Sequence, residues 1–326
     1  MKSKILRALG NADGYVSGQE LSGMLDVSRT AVWKVINQLK EEGYEIESVP
    51  RKGYRILSRP DVVAKEAVAS RLETKWAGRQ ICSLPTVDST NNEAGRLAEN
   101  GALEGTLVLA EEQTGGKGRR GRSWMTPAGS AVAMSLILRP DIPPSRASML
   151  TLVMGLAVAD ACRSFCGVDA KIKWPNDIVA DGRKICGILT EMSSEIDYIR
   201  HIIIGAGINT KVEQFPEELK KTAVSLHEIT GKRPDRAGLI AACMQQFEQY
   251  YEIFLKKQDL SLLKDAYNER LAGIGGTVSV LGTQEQYSGI SEGIDEMGEL
   301  LVRREDGRIE TVYAGEVSVR GIYGYV

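Results

Sequence analysis

The ten residues GGKGRRGRSW, Gly115 to Trp124, constrain this chain more than any other stretch. Lys117, Arg119, Arg120 and Arg122 stand among four glycines, with no acid to neutralise them. Glycine lets backbone N–H groups approach a ligand closely, and arginine offers a planar fork of donors that fits carboxylate or phosphate oxygens in pairs. The flanks decide what kind of loop this is. Thr106–Gln113 before it and Ser130–Leu138 after it are strand-like. Gly116, Gly118 and Gly121 match the spacing G-x-G-x-x-G, but that dinucleotide signature needs a helix opening within it. Here Met125-Thr126-Pro127-Ala128-Gly129 leads into the alternating run AVAMSLIL, and no helix opens. The phosphate-loop spacing G-x-x-x-x-G-K-[ST] occurs nowhere in the chain. A flexible anion-gripping loop between two strands is the reading that survives.

Charge is distributed unevenly around that loop. The net charge of −2 over 326 residues excludes a polycation built for nucleic acid, yet residues 1–60 hold ten Lys/Arg against seven Asp/Glu. In this basic head, Lys2–Asn11 reads as a helix. Ser17 and Ser28 are candidate caps for helices over Gly18–Leu25 and Arg29–Glu42. Val27, Ala31, Val35 and Leu39 fall four apart, with Val32 and Ile36 widening the apolar stripe. A short helix, a three-residue turn and a longer helix with a basic polar face make a helix-turn-helix. Two strands from Tyr44 and from Gly53, joined through Pro50-Arg51-Lys52-Gly53, form its wing. Ser28, Arg29, Thr30, Trp33 and Lys34, with Arg51 and Lys52 at the wing tip, are the candidate DNA contacts. The alternative is a three-helix bundle with no DNA role.

Residues 58–65 read as a linker. In the body, Ile81–Val87, Thr106–Gln113, Ser130–Leu138, Lys184–Met192 and Ile199–Gly205 are strand-like. Asn92–Asn100, Ser145–Phe165 and Asp235–Lys257 are helical, with Asp88-Ser89-Thr90-Asn91 opening the first. Helices and strands do not alternate strictly, which favours a mixed sheet flanked by helices. After Ala272 the chain turns to short strands, Thr277–Leu281, Gln286–Ile294, Leu300–Arg304 and Val317–Val319, with a tight turn at Asp306-Gly307. The expected organisation is α+β and multidomain. It comprises a winged helix-turn-helix over 1–60, a mixed-sheet α/β domain over 65–271 and a small SH3-like β-barrel over 272–326.

Five cysteines form no C-x-x-C pair, and only two histidines are present, so a structural zinc site has little support. Cys162 and Cys166 fall in an apolar helical pattern and read as buried core thiols. The amino terminus lacks a signal-peptide hydrophobic region, and the apolar run Met149–Ala159 is too short to span a bilayer. A cytoplasmic, reduced protein with no membrane contact is the expectation.

A second dense cluster, KIKWPNDIVADGRKICGILTE, runs from Lys171 to Glu191. Asp177 is a candidate Mg²⁺ ligand, because Mg²⁺ commonly takes one or two carboxylates plus substrate phosphates. Lys184 leads an apolar strand, from which an ammonium can reach into a pocket. GGKGRRGRSW, KWPND and GRKICGIL, in this order behind a winged helix, closely resemble the bifunctional biotin–protein ligases that double as repressors of the biotin operon (the BirA group). The motifs DSTN at 88–91, EEQT at 111–114 and IGAGINT at 204–210 belong to the same pattern, which spans essentially the whole chain. Lys117 is one variation, at a position where some members carry arginine.

The resemblance implies a central domain like that of the class II synthetases and an ATP- and Mg²⁺-dependent activation of biotin to biotinyl-5′-AMP. Biotin is then transferred to a lysine on the carrier domain of a biotin-dependent carboxylase. It implies that Ser89, Thr90, Asn91 and Gln113 face biotin and that Lys117, Gly118 and Arg119 lie in a loop closing over the bound acid. Lys184 would pair with the reacting carboxylate and α-phosphate, making Lys184 and Arg119 the expected catalytic residues. Trp124 would pack near adenine, with Arg120, Arg122, Asn176, Asp177 and Asn209 in the nucleotide region. Operator DNA and a homodimer formed when the adenylate is bound complete the implied partners. Two other readings are a ligand-sensing repressor without ligase activity and an enzyme of the lipoate ligase type.

Overall fold

A computed structural model of the chain describes residues 1–212, 215–281, 286–313 and 318–321. It opens with α1 (Lys2–Asn11), α2 (Gly18–Leu25) and α3 (Arg29–Glu41). Ser17 and Ser28 cap α2 and α3, each side-chain oxygen accepting the N–H three residues on. Asp26, left-handed at φ 52°, ends α2 and starts the three-residue turn. α3 buries Val32, Val35, Ile36 and Leu39 and leaves Trp33 exposed. β1 (Glu45–Val49) and β2 (Gly53–Ser58) pair antiparallel as the wing. Gly53 is required there: at φ 117° a Cβ would sit 2.1 Å from the Val16 carbonyl oxygen. These elements close their own core around Ile5, Leu6, Leu21, Ile36 and Leu39.

After the linker come a short α4 (Lys65–Ala69), β3 (Gln80–Val87), α5 (Thr90–Glu99), β4 (Thr106–Gln113) and β5 (Ala131–Leu138). They are followed by α6 (Met149–Cys166), β6 (Lys171–Lys173), β7 (Asp177–Ala180), β8 (Arg183–Ser194) and β9 (Ile199–Asn209). α7 (Leu226–Thr230), α8 (Arg236–Leu255) and α9 (Lys264–Arg270) complete the body. The seven strands form one sheet in the order β3-β4-β5-β9-β8-β7-β6. Only β3 and β4 run parallel; the other five pairs are antiparallel, so the sheet is mixed as expected.

Both faces of its centre are covered, which is why β5 is buried at all eight positions. Met134, Leu136, Cys186, Ile188, Ile204 and Ala206 join the large core with α6 and α8. α5 covers part of the opposite face, its Ala94 and Ala98 packing on Val108, Ile137 and Ile203. By alternation, Ala133, Ser135, Gly187, Leu189, Glu191, Gly205 and Gly207 also belong to that second face.

Three expectations need correction. α5 begins at Thr90 rather than Asn92, because its first N–H is taken by Gln113 Oε1 of the neighbouring strand at 2.8 Å. Cys166 is half-buried, whereas Cys162 is buried. The apolar run Met149–Ala159 is one part of α6, which with the turn before it is long and apolar enough to cross a membrane by length and composition. Two thirds of it is buried, against α8 and the sheet, as in a core helix.

The tail holds β10 (Thr277–Leu281), β11 (Gln286–Ile294), β12 (Leu300–Arg303), β13 (Ile309–Val312) and β14 (Ser318–Gly321), an antiparallel sheet in the order β13-β12-β11-β10-β14. Asp306-Gly307 makes the expected turn, with Gly307 at φ 84°. The last expected strand begins at Val317, which lies outside the described residues. Val278, Val280, Ile294 and Leu300 share the core of the central sheet. Trp174 of the β6–β7 connection donates its indole N–H to Gly298 O at 3.0 Å, fastening the tail to the body.

Candidate functional site

A cleft opens on the α5 side of the sheet, and glycine makes its floor. Gly207 on β9 stands between Ala133 of β5 and Gly187 of β8, and Gly205 stands between Ser135 and Leu189. A Cβ on Gly205 would lie 2.1 Å from Asn91 Oδ1, and one on Gly207 would lie 2.4 Å from Trp124 Nε1. The bare backbone therefore lets Asn91 and Trp124 lie flat against the sheet.

One end of the cleft is polar and neutral. Ser89, Thr90 and Asn91 at the start of α5 are all buried. Gln113 Oε1 accepts both the Thr90 N–H at 2.8 Å and its hydroxyl at 3.0 Å, and Gln113 Nε2 donates to Thr126 Oγ1 at 3.0 Å. Because Gln113 caps the helix, the Ser89 hydroxyl is not used as the cap. Asp88, just before, is held well below the usual carboxylate range by hydrogen bonds from Arg96 and then Asn92.

The other end is cationic. Lys184 Nζ lies 2.6 Å from Asp177 Oδ1 and 5.4 Å from the centre of the Trp124 ring. The basic loop folds as a single 3₁₀ turn, Arg119–Gly121, in which Arg120 is left-handed at φ 57°. Arg119 donates to Asn176 Oδ1 at 2.7 Å, which ties the loop to the β6–β7 connection. Burial pushes the Arg119 guanidinium down from its ordinary value, Arg120 pushes the same way, and Asp177 opposes them. Lys117 reaches Asn92 Oδ1 at 2.6 Å.

Ten expected site residues thus line one cavity: Ser89, Thr90, Asn91, Gln113, Lys117, Gly118, Arg119, Trp124, Asn176 and Lys184. Arg120 and Arg122 are exposed and outside that lining. Asp177 touches the cavity through Lys184 and Asn176. Asn209 is buried behind the wall, its amide donating toward Lys184 O and Val224 O at 3.5 and 3.4 Å. Among the described residues no three His, Cys, Asp or Glu side chains come together to hold a metal. Asp177 alone, already paired, fits only a cation held chiefly by substrate phosphates. The residues that sequence reasoning did not single out are Ala133, Met134, Gly187, Ile188, Leu189, Gly205, Ala206 and Gly207, the floor itself. IGAGINT and GRKICGIL carried most of them.

In the amino-terminal unit, Arg29, Thr30, Trp33, Arg51 and Lys52 line a groove between α3 and the wing. Ser28 serves as the helix cap, and Lys34 lies outside that groove.

Comparison with known proteins matches all three parts. Residues 2–55 fit an HTH domain, 83–209 the biotin/lipoate A/B protein ligase family, and 273–320 the biotin protein ligase C terminal domain. The chain is 40% identical over 309 residues to the bifunctional ligase/repressor BirA of Bacillus subtilis (strain 168), a match covering 94% of each chain. It belongs to the bifunctional biotin–protein ligase and repressor family. The Escherichia coli (strain K12) member is 31% identical, over 97% of this chain and 96% of its own. Among solved structures, the biotin protein ligase from Aquifex aeolicus in complex with biotin and ATP is 31% identical with a TM-score of 0.66. That match covers 74% of this chain and 99% of the other.

Proposed function

We propose that this chain is an ATP-dependent biotin–protein ligase that is also a biotin-responsive repressor. The biotin carboxylate attacks the α-phosphorus of ATP, forming biotinyl-5′-AMP and releasing pyrophosphate. The ε-amine of a lysine on a carboxylase carrier domain then attacks the mixed anhydride and releases AMP. Neither step needs a nucleophile from the enzyme, so its work is orientation and charge stabilisation.

The observation that carries this reading is one cleft with a neutral polar end and a cationic end, joined by a glycine floor. A bicyclic urea head suits Ser89, Thr90 and Gln113, its apolar body suits the floor, and its carboxylate then reaches Lys184. Lys184 must exchange Asp177 for the incoming anion. Arg119 and Lys117 sit on the loop above, where they can close over an anionic adenylate. Mg²⁺ bound with ATP would neutralise phosphate charge, with Asp177 the carboxylate placed to hold it. Trp124, Asn176 and, more distantly, Arg120, Arg122 and Asn209 would serve the nucleotide.

The winged helix accounts for the repressor role, with Arg29, Thr30, Trp33, Lys34, Arg51 and Lys52 on DNA. One such unit makes a small interface, so a homodimer that forms with the adenylate bound would present two. A cytoplasmic setting is in keeping with five unpaired cysteines.

The deciding experiment is exchange of labelled pyrophosphate into ATP. Exchange that depends on biotin is expected. Exchange supported by lipoate instead, or none with either acid, would overturn the ligase reading in favour of a lipoate-type enzyme or a sensor.

A further inference from the structure

The winged-helix unit is fastened to the body at two places. The first is the linker. Arg236 holds Asp61 by its carboxylate and its carbonyl, and Glu111 accepts the Val63 N–H, so the chain from Asp61 onward belongs to the body. β2 ends at Ser58, which leaves Arg59 and Pro60 as the joint. Proline fixes its own φ and restricts the residue before it, so the joint is short and stiff. It is still a single point about which the unit can turn. The second fastening is Arg7, half-buried on α1. Its Nη2 donates to Ala69 O and to Leu72 O at 2.8 Å each, and its Nε donates to Ser70 O at 3.2 Å. These carbonyls belong to the end of α4 and the turn beyond it, where a helix leaves acceptors without partners. α4 is anchored in turn, with Ala67 and Val68 buried in the large core of the body. Apolar packing does not duplicate the clamp. The two parts keep separate cores, and an open groove lined by Lys4, Ala8, Met24, Leu25 and Arg79 runs beside Arg7.

We infer that Arg7 is a positioning residue that fixes the winged helix on the body and so sets the separation of DNA half-sites that a dimer of this chain can read. The ligand cleft lies in the body, so the contact that forms with the adenylate bound belongs to the bodies. Two paired bodies place two α4 helices at a set distance and angle, and Arg7 carries that placement to the two α3 helices. Each base pair added between half-sites moves one of them along the duplex and turns it by about 35°. A rigid pair therefore accepts one spacing. Without the guanidinium each winged helix turns about Arg59-Pro60, and neighbouring spacings come within reach.

This inference rests on the dimeric-repressor reading, and its test separates the two. The wild-type chain, with biotin and ATP, first selects its own duplex from a random DNA pool; two inverted half-sites at one spacing are expected. That duplex, versions with one or two base pairs added or removed between the half-sites, and a duplex with one half-site are then titrated. The proteins are the wild-type chain, Arg7→Ala and Arg7→Lys. All three should keep biotin-dependent pyrophosphate exchange, since Arg7 bonds to no residue of the cleft. One added base pair should cost the wild-type chain about tenfold or more in affinity, because the second half-site drops out of reach. The same change should cost Arg7→Ala about threefold or less. Arg7→Lys keeps the charge but not the fork of donors, and should fall between them. Affinity for the single half-site should be equal in all three. An Arg7→Ala chain as strict about spacing as the wild-type chain would overturn the inference. So would a loss confined to the single half-site, which would assign Arg7 to the stability of the winged helix. A wild-type chain that selects no paired half-sites would overturn the dimeric reading and this inference with it.

Discussion

Lys184 is held in place before any ligand arrives. Its side chain is 23% exposed, with the ammonium set between the Asp177 carboxylate and the face of Trp124, so it does not sweep through solvent as a surface lysine does. On the proposed reading, substrate binding would replace one anionic partner by another, and little of the side chain's freedom would remain to be lost. Lys184→Ala should therefore remove about 2–4 kcal/mol of transition-state stabilisation and leave the fold intact. Single-turnover formation of biotinyl-AMP measures it; a rate near that of the wild-type chain would take Lys184 out of the mechanism. Charged residues of this kind announce themselves in sequence because they break apolar runs. Gly187, Gly205 and Gly207 do not. A glycine within an apolar strand looks like a weak spot, and only pairing across three strands turns it into a floor. Ser135 is hidden for the same reason, and Glu191 meets Asn91 across 100 positions of sequence.

The basic loop and the β6–β7 connection act together. Both were readable as chemistry, but not as partners, because 57 residues separate Arg119 from Asn176. The loop was readable as irregular because its glycines and Pro127 exclude a helix, whereas β6, with three residues, and β7, with four, are too short for any period to show. β13 escaped for another reason: Ile309–Val312 is an exposed edge with one buried side chain, Val312. The contact between loop and connection suggests how the cleft stays shut. Arg119 already ties the loop to Asn176, and a bound adenylate would add phosphate oxygens to the same guanidinium. Arg119→Gly should retain part of the adenylate synthesis through Lys184 but release the reactive anhydride far sooner. Incubation with biotin, ATP and a bystander protein lacking a carrier domain reads this as increased labelling of bystander lysines. Labelling no higher than with the wild-type chain, while adenylate is still made, would show that Arg119 does not close the loop.

The linker and both stems of the basic loop meet at one buried guanidinium. Arg236, at the start of α8, is 1% exposed. Its Nε donates to Asp61 Oδ1 at 2.9 Å and its Nη2 to Asp61 O at 2.8 Å, gripping the linker. Its Nη1 donates to Glu111 Oε2 at 2.8 Å and to Ala131 O at 3.2 Å. Glu111 lies two residues before Gln113 on β4, and Ala131 opens β5, so the same side chain holds both stems of the basic loop. Helical periodicity could not reveal this, since it marks Arg236 only as lying at the start of a helix. Asp61 also faces Arg233 at 3.4 Å, but Arg233 is 59% exposed. The two arginines therefore make a controlled comparison on one carboxylate. Asp61→Ala leaves a buried cation short of a partner and should cost about 3 kcal/mol in denaturant unfolding of the body. Arg233→Ala breaks an exposed pair and should cost less than about 1 kcal/mol. Equal losses in the two variants would mean that the buried clamp contributes nothing particular. Loosening the linker should also separate the two activities. Asp61→Ala should still make adenylate, with the cleft residues untouched, but the gain in operator affinity on adding biotin and ATP should shrink. That follows because the linker would no longer report the position of the loop stems to the winged helix. An operator response equal to that of the wild-type chain, in a variant shown to be destabilised, would assign Arg236 to stability alone.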